Sequence, residues 1–180
     1  MNIFNILDEN ISDEDKISKV TKFALASKNI TEMMKINPCL TLDMYISDTE
    51  MLFHVLNSEN INSPISRLKI FQILLDNIEF DINYRDKANG ETILIFACMT
   101  ITFNPEYSGA SGASGASGTF ASSDKLRMEL IQRILLYKRK PDISLKSLDG
   151  TIDAYTCIHY SAYFQDPLNK KMVLELLEKS

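Results

Sequence analysis

The sequence predicts an all-α protein, a short solenoid of about four helix-turn-helix units, and three recurrences carry that prediction. A helix-opening pattern, Asn89-Gly90-Glu91-Thr92-Ile93-Leu94-Ile95-Phe96-Ala97-Cys98, returns as Thr156-Cys157-Ile158-His159-Tyr160-Ser161-Ala162 and more faintly as Glu50-Met51-Leu52-Phe53-His54-Val55. Each copy is followed, after a variable gap, by a second amphipathic stretch with a Leu-Leu pair: Leu74-Leu75, Leu135-Leu136 and Leu176-Leu177. The first two pairs lead into Asp81-Ile82-Asn83 and Asp142-Ile143-Ser144. Segments that return in one order mark units that are too small to bury an apolar face alone and do so by stacking.

The pattern has a physical reason. Thr92 can accept from the free amides at a helix start, while Leu94 and Ala97 lie three apart on one face, where small Ala97 admits a close neighbour. Thr156, Ile158 and Ala162 keep this logic and predict a second buried stripe. The first copy is worn, with Glu50, Met51 and Val55 at the corresponding places. A polar turn ending in Gly, Thr-x-Leu-x-x-Ala, a Leu-Leu pair and Asp-Ile-Asn together resemble the ankyrin repeat. The resemblance implies a curved stack whose concave groove and projecting turns bind other proteins.

In chain order, the acidic residues Asp8, Glu9, Asp13, Glu14 and Asp15 precede the first helical pattern, where negative charge suits a helix N-terminus. Ile17, Val20, Phe23, Ala24 and Ala26 form one apolar stripe, and Ile30, Met33 and Met34 form another. Ser27-Lys28-Asn29 between them predicts a turn, and Asn37-Pro38 a stop. These residues make a degenerate N-terminal unit over 12–46, followed by units over 47–83, 84–144 and 145–180 in one domain, 1–180. Ser63-Pro64 and Asp166-Pro167 each predict the start of a second helix, a capping side chain followed by Pro at the first helical position. Between Leu94 and Leu135 the loop is longest and holds Gly-Ala-Ser repeats over 108–118, with four of the chain's six glycines. So regular a run in a glycine-poor chain reads as an engineered linker replacing a longer natural insertion, and it is excluded from fold reasoning. The helical stripe near 172–180 has no polar closing unit after it, so either this helix closes the stack or, the favoured expectation, the chain is the front part of a longer protein.

Composition narrows the function. The 180 residues are 45% hydrophobic, enough for a sizeable core, and the net charge of -5 with a pI near 5.1 argues against direct nucleic-acid binding. The central apolar run is far shorter than the ~18 residues a membrane helix needs, and the N-terminus lacks a positively charged leader. Cys39, Cys98 and Cys157 show no paired spacing, which predicts reduced thiols in the cytoplasm or nucleus. The two histidines, His54 and His159, have no catalytic or metal-ligating partners at recognisable spacing, and no phosphate loop or nucleophile elbow occurs. The expectation is a non-enzyme without cofactor or metal. Cys98 is expected in the core, and Cys157 partly exposed. Asp81 and Asp142 are expected to face turns rather than act as paired acids.

The candidate site is a protein-binding surface. His54, Phe96 and Tyr160 hold one register position, which the ankyrin resemblance turns towards the concave groove; for Phe96 the alternative is burial against its neighbour, since a worn repeat can rotate its helix. Aromatic groups there offer large contact area at low entropic cost. Tyr84, Arg85, Lys87 and Glu91 in one turn, with Lys146 and Leu148 in the next, correspond to ankyrin finger positions. The expected partner is a protein or peptide segment, with the chain acting as an adaptor or scaffold. The alternative is a regulatory ankyrin region of a larger protein, such as a transcription regulator, packing on its own chain. Arg133 with Lys138-Arg139-Lys140 is expected first to offset a helix dipole and second to attract an acidic partner.

Overall fold

The computed structural model describes residues 3–36, 49–87, 90–99, 117–146, 156–160 and 167–178, and among them the fold is all-α. Two isolated antiparallel bridges lie among these residues, Arg85 with Thr92 and Lys146 with Thr156, and Phe80 also takes a bridge position. The helices are α1 (Ile3–Asp8), α2 (Asp13–Ile36), α3 (Glu50–Asn57), α4 (Pro64–Asn77), α5 (Ile93–Met99), α6 (Ser117–Leu135), α7 (Cys157–Tyr160) and α8 (Pro167–Glu178). They fall into two compact units, Met1–Asp81 and Ile82–Ser180.

In the first unit α1 packs on α2 and α3, and α4 packs on α2 and α3. The short helix α1 buries Ile3, Ile6 and Leu7, the i, i+3, i+4 set of one helical face. Ser12 then caps α2: its Oγ accepts from the Asp15 amide at 3.1 Å and donates to the Asp15 carboxylate at 2.8 Å. Lys16 is fully buried, its Nζ donating to the carbonyls of Glu9 and Ile11 in the α1–α2 connection. With Asp13, Val20 and Ala24 it forms the inward stripe of α2. One expectation is corrected here. Ser27-Lys28-Asn29 is not a turn, because α2 runs unbroken through it. None of the three is Gly or Pro, so each keeps its helical hydrogen bonds, and a neighbouring helix supports the length.

Asp13 also fixes how α4 begins. Its carboxylate accepts from the amides of Asn62 at 3.2 Å and Ser63 at 2.9 Å, so α2 and α4 start side by side and pack on each other. Ser63 caps α4 through the Ser66 amide, with Pro64 at the first helical position, as its sequence predicts. Arg67 is 7% exposed and ties the α3–α4 connection together, donating to the carbonyls of Leu56, Ser58 and Ile61. Burial lowers its pKa, and the charge of Asp13 opposes that fall. Phe71, Leu74, Phe80 and Ile82 are buried along α4 and the turn after it.

In the second unit α5 packs on α6 and α7, and α6 on α8. Ile93, Leu94, Ile95, Ala97 and Cys98 make α5 buried almost all round, while Leu130, Ile131 and Ile134 carry the inner face of α6. Pro167 opens α8, which buries Val173 and Leu177. Helix α6 starts inside the Gly-Ala-Ser run, at Ser117, so the last two residues assigned to the linker are helical. The expected stripe of the third copy is also modified: Ile158 is 37% exposed whereas its counterpart Leu94 is fully buried. Leu94 has helices α6 and α7 against its own, while α7 has α5. Among the described residues no helix is long and apolar enough to cross a membrane. Asn37-Pro38, Cys39, linker residues 108–116, Leu148, Ser161, Ala162 and Asp166 lie outside the described residues, as do the side chains of Met33, Met34, His159 and Tyr160.

Candidate partner-binding site

Backbone and side-chain hydrogen bonds tie Asp86, Gly90 and Glu91 together in the turn before α5. The Asp86 amide donates to the Glu91 carbonyl at 2.9 Å and the Gly90 amide to the Asp86 carbonyl at 3.0 Å, while the Asp86 carboxylate accepts from the Glu91 amide at 2.7 Å. Gly90 has φ 67°, the left-handed region that a residue with a Cβ enters at a cost. A bridge then joins Arg85 to Thr92, whose Oγ1 accepts from the Ile95 amide at 3.3 Å and so starts α5. The Thr-capped opening predicted from the sequence is therefore in place.

A second turn repeats part of this geometry. Lys146 is bridged to Thr156, the residue before α7, as Arg85 is bridged to Thr92 before α5. The two turns touch at matching positions: Arg85 donates through Nη1 to the carbonyls of Gly90 and Lys146, both at 2.6 Å. Asn83 accepts from the Asp142 amide at 2.7 Å. Asp142 accepts from the Ser144 amide at 2.9 Å and its hydroxyl at 2.6 Å, closing a tight polar turn. The Ser144 hydroxyl bond is the main cause of a lowered Asp142 pKa, helped by the Ser144 amide and the positive charge of Arg85. Asp142 thus serves its turn, as expected for a residue following the second helix.

These contacts sort the predicted site residues. Lys87 and Lys146 are exposed, Tyr84 and Phe96 are half-buried, and Arg85 links the two turns. Glu91 is 4% exposed, so its side chain is part of the turn rather than of the outer surface. Tyr160 lies in α7, but its side chain and the whole of Leu148 are outside the described residues.

In the first unit His54 is engaged by α1. Its Nε2 lies 2.8 Å from the Asp8 carboxylate, and its ring meets Phe4 edge-on at 5.2 Å between centroids. His54 and Phe96 nevertheless hold one phase: each is half-buried and followed by two buried residues, Val55-Leu56 and Ala97-Cys98. The exposed Asn5 of α1, followed by buried Ile6 and Leu7, repeats that phase.

The two thiols among the described residues are interior. Cys98 is fully buried as expected, whereas Cys157, expected to be partly exposed, is 1% exposed and donates to the Ile143 carbonyl at 3.6 Å. Its place at the start of α7 tucks it beneath the turn at Ile143. Burial pushes the Cys98 thiol well above its usual range, and the charge of Arg127 works against this. Burial likewise raises Cys157 to about 11. Both are neutral thiols near pH 7 and poor nucleophiles. Among the described residues no three His, Cys, Asp or Glu side chains gather as a metal site.

Sequence reasoning missed three contacts. The reach of Asp13 to the start of α4, the carbonyl ties of Arg67 and the Asp8–His54 pair all join positions distant in sequence. No period or spacing announces such contacts. The chain matches no family model, no curated protein and no solved structure.

Proposed function

We propose that this protein is a non-catalytic recognition module built of ankyrin-like helix pairs, which holds a segment of a partner protein. Successive helices pack as pairs, α1 with α2, α3 with α4 and α5 with α6. In each unit first helix packs on first and second on second: α1 on α3 and α2 on α4, then α5 on α7 and α6 on α8. That order is what stacked helical hairpins require.

The observation that carries the reading is the repeated turn, with Arg85 joining matching positions of two consecutive copies. Such turns present side chains from a rigid base, and rigid presentation lowers the ordering cost of binding. The exposed Lys87 and Lys146 with half-buried Tyr84 and Phe96 form the contact surface. Arg85 and Glu91 shape this surface from beneath. In cytoplasm or nucleus such a surface acts as an adaptor for another protein.

A photo-crosslinking amino acid placed at Phe96 or Lys87, with exposed Lys22 of α2 as control, tests this in cell extract. A common adduct from Phe96 and Lys87 that is missing from Lys22 supports the reading. Adducts from Lys22 alone, or from none of the three, overturn it.

A further inference from the structure

The end of α6 departs from the end of α4 in a way that creates a separate surface. Both helices carry a Leu-Leu pair six residues before an Asp-Ile step, and in α4 both leucines, Leu74 and Leu75, are buried. Helix α4 continues past its pair to Asn77, whereas α6 stops at Leu135. Its last turn tightens, the Leu136 amide donating to Gln132 at 3.0 Å and the Tyr137 amide to Ile134 at 3.1 Å. Pro141, which has no N–H and disfavours a helical Lys140, bars the helix from resuming into 140. Tyr137 turns inward, to 8% exposure, and Leu136 outward, to 82%.

A lone exposed leucine is common on protein surfaces and marks nothing by itself. Here it lies within a short span of chain holding exposed Arg133, Lys138, Arg139 and Lys140, and no carboxylate occurs between Glu129 and Asp142. A helix C-terminus carries roughly half a negative elementary charge, so dipole compensation does not require four cations. The basic stretch is also opposite in sign to the chain's net charge of -5. Acidic ligands are repelled by the molecule as a whole and attracted here, which fixes where and how they dock. The same net charge disfavours an anionic membrane, which would present its field to much more of the molecule.

We propose that residues 133–140 form a docking site for an acidic peptide that places an apolar side chain on Leu136 and its carboxylates among Arg133, Lys138, Arg139 and Lys140. The site shares no residue with the groove and finger surface, so its failure would leave that reading standing.

The test is fluorescence anisotropy with a designed set of short acidic peptides carrying one Leu, Ile or Phe, beside matched peptides with Ser at that place. Vesicles containing phosphatidylserine are assayed in parallel. The apolar acidic peptides are expected to bind, with affinity falling as salt rises. Leu136→Ser should weaken them by about tenfold or more, and Lys138→Glu with Lys140→Glu should abolish the salt dependence. Because these side chains are exposed, circular dichroism should show the variants folded. Equal binding of the Ser-matched peptides, binding unaffected by Leu136→Ser, binding to vesicles alone, or binding to nothing would each overturn the proposal.

Discussion

Replacing Arg67 with Met should destabilise the first unit severely, although no predicted binding residue is touched. The guanidinium reaches three carbonyls between α3 and α4, those of Leu56, Ser58 and Ile61, from a site 7% exposed. Met fills much of the same volume but leaves the three acceptors without this donor. Hydrogen bonds to a charged group contribute about 1.5 kcal/mol each at the lower end, so three give about 4.5 kcal/mol. Removing a buried guanidinium, whose desolvation is visible in its lowered pKa, returns about 1–2 kcal/mol. The net loss is about 3 kcal/mol, a large share of the ~5–15 kcal/mol that holds a small domain folded. With a urea slope of about 1.5 kcal/mol per M, the midpoint of that unit should fall by about 2 M, followed by far-UV circular dichroism. Arg67→Lys keeps the charge without the planar fork and should fall between. A midpoint shift below about 0.5 M for Arg67→Met would refute the assigned role.

Three further outcomes follow from the second unit. Gly90→Ala should cost about 1–2 kcal/mol in urea unfolding, since φ 67° disfavours a Cβ; an unchanged midpoint would mean that the turn relaxes freely. The folded pKa of Asp142 lies below its unfolded value of about 3.9, so its stabilising contribution is present above that pH and is lost as pH falls through the folded pKa. Asp142→Asn should therefore flatten the acid side of the stability profile, and a wild-type profile would contradict this. For Cys98 and Cys157 the raised pKa acts in the opposite direction: the contribution is complete below the unfolded pKa of about 8.5 and is lost as pH rises towards, for Cys157, about 11. In a Cys39→Ser background, disulfide-reagent labelling at pH 7 should be slow when folded and fast in urea, and equal rates would refute the burial.

Local chemistry in the sequence was a good guide where a single residue decides a single angle or cap. Ser63-Pro64, Pro167, Thr92 and Gly90 act where their side chains or backbone freedom place them. Reading failed where packing decides. Ser27-Lys28-Asn29 has a turn's composition but no helix breaker, and a long helix continues through it. The short α1 shows its i, i+3, i+4 set in Ile3, Ile6 and Leu7, a signal easily overlooked in six residues, and it supplies Asp8 and Phe4 to His54. Leu136 belongs to a recurrent Leu-Leu pair yet faces outward, because the helix ends one residue before it. At the candidate site the residue types were legible, but their division into exposed Lys87, structural Arg85 and buried Glu91 depends on contacts between turns.

The most direct measurement is quantitative affinity capture from cell extract with the wild-type chain and a Phe96→Ala, Lys87→Glu variant, matched in urea midpoint. A protein held by the wild type and depleted about tenfold or more by the variant is the predicted result. Equal recovery of every captured protein by both chains would contradict the assignment of this surface to partner recognition.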